Sequence, residues 1–151
     1  MDIYLIRHAH ALNRDEWSKD DLKRPLTKKG EKLAHKAFKK FVSKFKKPNI
    51  IFTSEAERSV KTGKILNKFC SAKLIVDKRL NPGSQINNYH SIITEYAKYE
   101  VISIVSHNPD IQNFVSDYLS EGKLMIVLKK GSIIHIKDGA LVNLIQQKIL
   151  R

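Results

Sequence analysis

Arg7, His8 and His10 close an apolar run from Ile3 to Ile6, and two kinds of chemistry fit residues of these types at this spacing. Side chains two apart on an extended segment share a face, so His8 and His10 can share a metal ion, with His107 as a third imidazole. In the other reading a histidine attacks phosphorus. A neutral imidazole is a nucleophile without a separate base. An adjacent guanidinium offers paired N–H donors to the equatorial oxygens, where charge gathers in phosphoryl transfer.

The elements that must position these residues follow from the apolar pattern. Ile3–Ile6, 49–52, 73–76 and 101–105 are short and apolar on both faces, as central strands are. Segments 132–137 and 141–147 flank Asp138-Gly139, a hairpin signal. Between them lie four segments of helical period. The first carries Leu33, Ala34, Ala37, Phe38, Phe41, Val42 and Phe45 behind a Thr27 cap. The second opens on Ser54-Glu-Ala-Glu57, read as a capping box. The third spans about 86–97, and the fourth opens at Asn108-Pro109, with Asn as cap and Pro at the first helical position. Residues 121–131 fit either strand or loop. Strands alternating with helices predict an α/β fold with a mainly parallel sheet and an antiparallel C-terminal hairpin, as one domain over 1–151.

In such a sheet the segments after three strands emerge together at the carboxyl edge, where ligands bind. These segments carry Arg7-His8, Thr53-Ser54 and Ser106-His107, and Arg58 lies one turn into the following helix. Two helix N-termini point at the same edge. The expected crevice is an anion site suited to a phosphoryl group.

Four separated stretches, LIRHAHA, RPLTKKG, TSEAERSVKT and VSHNP, occur in order through nearly the whole chain. Together they resemble the histidine phosphatase superfamily, and within it the small SixA-type protein-phosphohistidine phosphatases. The resemblance implies a three-layer α/β/α sandwich of the phosphoglycerate mutase-like type, with no metal and no cofactor. It implies that His8 is the histidine that becomes phosphorylated, and that Arg7, Arg58 and His107 complete its phosphate pocket. Arg24, within RPLT, matches a residue near the pocket rim. His10 is balanced between a rim contact and a solvent-exposed replacement.

Two departures bear on chemistry. Relatives usually read Arg-His-Gly where this chain has Ala9, which costs about 1 kcal/mol if the position needs positive φ. Larger members place an acid in the loop after the third strand, but here 79–84 read RLNPGS. An alkoxide leaving group needs a positioned acid, whereas a phosphoramidate leaves as a neutral imidazole. The missing acid therefore favours phosphohistidine on a protein, with Asp15, Glu16 and Glu55 as possible substitutes. The alternatives are a phosphatase of small phosphate esters, a catalytically silent phosphoprotein-binding module, and the His-ligated metallohydrolase.

Net charge is +13, and nine lysines fall between Lys28 and Lys47. Such a charge attracts polyanions without specificity, but no arginine- and aromatic-rich recognition motif accompanies it, so no specific nucleic-acid partner is expected. The lysine face could steer an acidic phosphoprotein toward the pocket. Cys70 stands alone and is expected to be a buried, inert thiol. His90 falls on an apolar helix face and is expected to pack in the core; His35 and His135 are expected as ordinary surface or strand residues. No signal or membrane segment is apparent, so the expectation is a cytoplasmic monomer.

Overall fold

The apolar runs pair into a sheet, and the amphipathic segments cover both its faces. The computed structural model describes residues 1–151. The main elements are β1 (Asp2–Arg7), α1 (Lys28–Lys44), β2 (Ile50–Thr53), α2 (Glu57–Asn67), β3 (Lys73–Val76), α3 (Ile86–Glu95), β4 (Val101–Ser106), α4 (Asp110–Ser120), β5 (Ile133–Lys137) and β6 (Ala140–Ile145). The sheet order is β3-β2-β4-β1-β5-β6. The first four strands are mutually parallel, and β5 and β6 add an antiparallel hairpin beside β1. Asp138 and Gly139, at φ 48° and 80°, give that hairpin the doubly positive turn its length requires.

Strand alternation divides the core in two. Tyr4 and Ile6 face Phe38 and Phe41 of α1 and Ile65 and Leu66 of α2. Ile3 and Leu5 face Tyr89 and Ile92 of α3 and Ile111 and Phe114 of α4. The expected three layers follow. Phe38 and Phe41 are fully buried, which stabilises the fold by about 1.5–3 kcal/mol each, while the α1 lysines stay in water. Thr27 Oγ1 accepts the Gly30 N–H at 2.9 Å and caps α1 as expected. No helix is long and apolar enough to cross a membrane.

Several local expectations are corrected. Ser54 does not cap α2. The helix starts later, at Glu57, with Ala56 in the cap position and no side-chain cap bond. Asn108 does not cap α4 either: Pro109 stands at that position, and the Asn108 amide donates to the Leu128 carbonyl at 2.9 Å. Residues 123–129 form no helix or strand. Cys70 is half-buried beyond the end of α2, and burial pushes its thiol up to about 11. His90 packs edge-on against Phe114 but remains partly exposed, 3.2 Å from Asp117. His135 is a strand residue, in β5, the second of the two expected places, and it is buried there with Nε2 2.7 Å from Asp2 Oδ1.

Candidate active site

Register decides which loops meet. Arg7 pairs with Ser106 across β1 and β4, and Thr53 with Val105 across β2 and β4. The next residues, His8, Ser54 and His107, therefore leave the sheet side by side. The rings of His8 and His107 stand 5.2 Å apart between centroids. With Arg7, Arg24 and Arg58 they line a cavity of about 220 Å³, completed by Asn13, Arg14, Pro82, Asn108 and Lys130. No carboxylate lines it.

His8 is nearly buried, and its Nδ1 lies 2.7 Å from the Ala9 carbonyl. A carbonyl only accepts, so Nδ1 carries the hydrogen and Nε2 keeps its lone pair. Burial pushes the His8 imidazole well below its ordinary value, which keeps it neutral. Ala9 is not among the residues with positive φ, so no strain attaches to it. It is fully buried, and its N–H donates to Thr62 Oγ1 at 3.0 Å, tying the His8 loop to α2.

Burial, and then Arg58, holds His107 at about 3, so this ring too is neutral in the free protein. Its Nε2 lies 2.7 Å from Ser54 Oγ, which also accepts the Ala56 N–H at 3.2 Å. The serine hydrogen is free to point at Nε2, which leaves the ring hydrogen on Nδ1. That buried atom has no partner in the protein.

The arginines are held from behind. Asp21 Oδ1 accepts from Arg24 Nε and Oδ2 from Arg58 Nη2, both at 3.0 Å, and the Asp21 carbonyl accepts from Arg58 Nη1 at 2.7 Å. Burial raises the Asp21 carboxyl, but the Arg24 hydrogen bond and both guanidinium charges outweigh it and hold the group below its ordinary value. Asp21 is thus an ionised anchor, unsuited to give a proton. Arg24 Nη1 donates to the Leu12 carbonyl at 2.6 Å, and Arg7 Nη1 to the Leu128 carbonyl at 2.9 Å. Arg7 Nε and Arg58 Nε, like His107 Nδ1, are buried without a partner. Guanidiniums and imidazoles without a facing carboxylate make this cavity a receptor for an oxyanion.

The structure brings Arg7, His8, Arg24, Arg58 and His107 together, and it leaves His10 outside this cavity. His10 is exposed in a neighbouring recess, because β1 ends at Arg7 and the two-residue alternation of a strand no longer governs positions 8 and 10. His8, His10 and His107 do not converge, and no three His, Cys, Asp or Glu side chains are grouped to hold a metal ion. Asp15, Glu16 and Glu55 do not line the cavity: Glu16 accepts the Asn13 N–H, and Glu55 bonds Asn81. Asp21, Lys130, Asn13 and Arg14 are not marked by the sequence pattern, although Asp21 precedes Arg24 by three positions, a pairing signal. Ser54 is expected at this edge, but as a helix cap and not as the partner of His107.

A family model described as the histidine phosphatase superfamily (branch 1) matches residues 3–82. Among solved structures, the chain is similar to the protein histidine phosphatase SixA complexed with tungstate, at 16% identity and TM-score 0.85 over 100% of both chains. It is also similar to SixA of Agrobacterium tumefaciens, at 17% identity and TM-score 0.84 over 95% of this chain and 97% of that one. The alpha-ribazole phosphatase of Shigella flexneri follows at 15% identity and TM-score 0.79, with 97% of each chain covered. At these identities the likeness is one of fold. No curated protein matches the chain in sequence.

Proposed function

The chain belongs to the histidine phosphatase superfamily (branch 1) and is a phosphatase; we propose that it removes the phosphoryl group of phosphohistidine in a protein, through a phosphohistidine formed on His8. The observation that carries this reading is the convergence of His8, His107, Arg7, Arg24 and Arg58 on one cavity whose wall is free of carboxylates.

Each residue has a role in this reading. His8 Nε2 attacks phosphorus, its ring oriented by the Nδ1–H bond to the Ala9 carbonyl. Arg7, Arg58 and His107 donate to the equatorial oxygens as charge moves onto them. Arg24 extends this positive wall at the rim. The P–N bond to the substrate imidazole breaks as that ring's nitrogen takes a proton from solvent, and it departs neutral. Water then attacks phosphorus on His8, releasing phosphate and restoring the imidazole. A phosphate ester would shed an alkoxide, for which the cavity offers no proton-donating acid, a handicap of about 10²–10⁴ in rate.

The test compares turnover of a phosphohistidine protein, a small phosphoramidate and a small phosphate ester. Both P–N substrates are expected to turn over faster than the ester, and His8→Asn is expected to abolish turnover. Removing one oxyanion donor, as in His107→Ala, is expected to lower kcat by about 10²–10³. Equal turnover by wild type and His8→Asn would reject the mechanism, and a preference for the ester would reject the substrate class.

A further inference from the structure

Two shallow recesses open beside the phosphate-sized cavity, and neither contains an acid. Arg7, His10, Lys129, Lys130 and Arg151 line the first, which shares Arg7 and Lys130 with the cavity. The second is lined by His10, Thr27, Lys29, Leu33 and Arg151, and shares His10 and Arg151 with the first. The recesses hold about 300 and 330 Å³. In sequence these residues are remote: the loop after β1, the start of α1, the segment before β5, and the C-terminus. The fold gathers them into one basic path from the cavity to the first turn of α1, where the helix dipole adds positive potential.

The character of these cations differs from that of the cavity's. Inside, Arg24 and Arg58 are buried and held by Asp21 and by carbonyls, which suits one tetrahedral anion. Along the path His10, Lys29, Lys129 and Arg151 are exposed. Exposed ammoniums grip a small anion weakly, but several of them along a line sum over a row of carboxylates. Partial burial, and then the charges of Lys130, Lys29, Arg151 and Arg7, push the His10 imidazole below its ordinary value.

The geometry points to a docking track for an acidic segment of the protein substrate, lying beside the phosphorylated residue and contacting Lys29, Lys129 and Arg151. This rests on the reading of a phosphoprotein substrate and adds which protein segments the enzyme prefers. Of the α1 lysines only Lys29 lines either recess, so the track is distinct from the remaining lysines of that helix.

Two peptides test it, each carrying a non-hydrolysable phosphoryl-triazole mimic of phosphohistidine and differing only in flanking glutamates or glutamines. Affinities are read by fluorescence anisotropy at low and high salt. Wild type is expected to bind the acidic peptide about tenfold tighter at low salt, with the margin shrinking as salt rises. Lys29→Glu/Lys129→Glu/Arg151→Glu is expected to lose the preference while binding the glutamine peptide as wild type does. Lys36→Glu/Lys39→Glu/Lys40→Glu, an equal charge change elsewhere on α1, is expected to keep it. No preference in wild type, its survival in the first variant, or its equal loss in the second would each overturn the track. Turnover of a small phosphoramidate, too short to reach the path, is expected to be unchanged in both variants. Failure of that turnover in wild type rejects the phosphohistidine chemistry and leaves peptide binding to decide the track.

Discussion

Arg58 is among the largest fully buried side chains in the molecule, at 1% exposure, and a cation in that position is tolerated only because it is paired. Asp21 supplies the pairing and fixes the guanidinium plane through Nη1 and Nη2. Ser54 does the corresponding work for His107. Its oxygen can donate to Nε2 of the neutral ring and accept from Nε2–H once an oxyanion favours the imidazolium. Ser54 is a positioning residue, and its removal should have a distinctive signature. Ser54→Ala is expected to lower kcat about three- to tenfold, the value of one hydrogen bond, with little change in KM. It should also move the alkaline limb of the kcat–pH profile to lower pH, because the imidazolium loses its acceptor. A profile that falls in height without moving would assign Ser54 a merely structural part.

At the scale of elements, the site depends on how closely α1 approaches the nucleophile loop. The first turn of α1 touches that loop through backbone: the Thr27 N–H donates to the His10 carbonyl at 2.9 Å, and Gly30 sits directly against the same carbonyl. A Cβ at position 30 would collide with backbone, which has no rotamer to change. Gly30→Ala is therefore expected to destabilise the protein by about 1–3 kcal/mol in a urea melt and to lower kcat by displacing His8. An unchanged melt and unchanged turnover would show that the loop is not braced by α1. The segment before β5 plays a parallel part. The Leu128 carbonyl anchors both Arg7 and Asn108, and the Gly131 N–H lies 3.0 Å from the carbonyls of Arg7 and His8. That role is invisible in the pattern of 121–131, because it is made by backbone groups rather than by side chains of telling type.

For the whole molecule, the buried histidines tie stability to pH. His8 and His107 are both held below the ordinary histidine value in the folded state, while an unfolded chain titrates near about 6.5. Below that pH the unfolded state binds more protons than the folded one, so stability is complete above it and lost as pH falls toward 3. His107 is expected to cost about 2 kcal/mol between pH 7 and pH 5, and His8 adds to the loss in the same direction. The dependence should flatten in His8→Asn and His107→Asn, and urea melts across this range measure it. Parallel curves for wild type and variants would show that other groups dominate. An added oxyanion such as tungstate should oppose the loss, since it favours the charged rings.

The sequence alone determined the element pattern, because strand and helix periods are local properties of apolar spacing, and it also marked Arg7, His8, Arg58 and His107 by type and by their places after strands or within a helix start. Tertiary structure decided everything that depends on register and direction. It turned Ser54 from a helix cap into the partner of His107, set Asp21 behind two arginines, and sent His10 to a different recess from His8 although only Ala9 separates them. The physical reason is that a side chain's chemistry is set by what faces it, and facing is fixed by pairings between residues far apart in the chain.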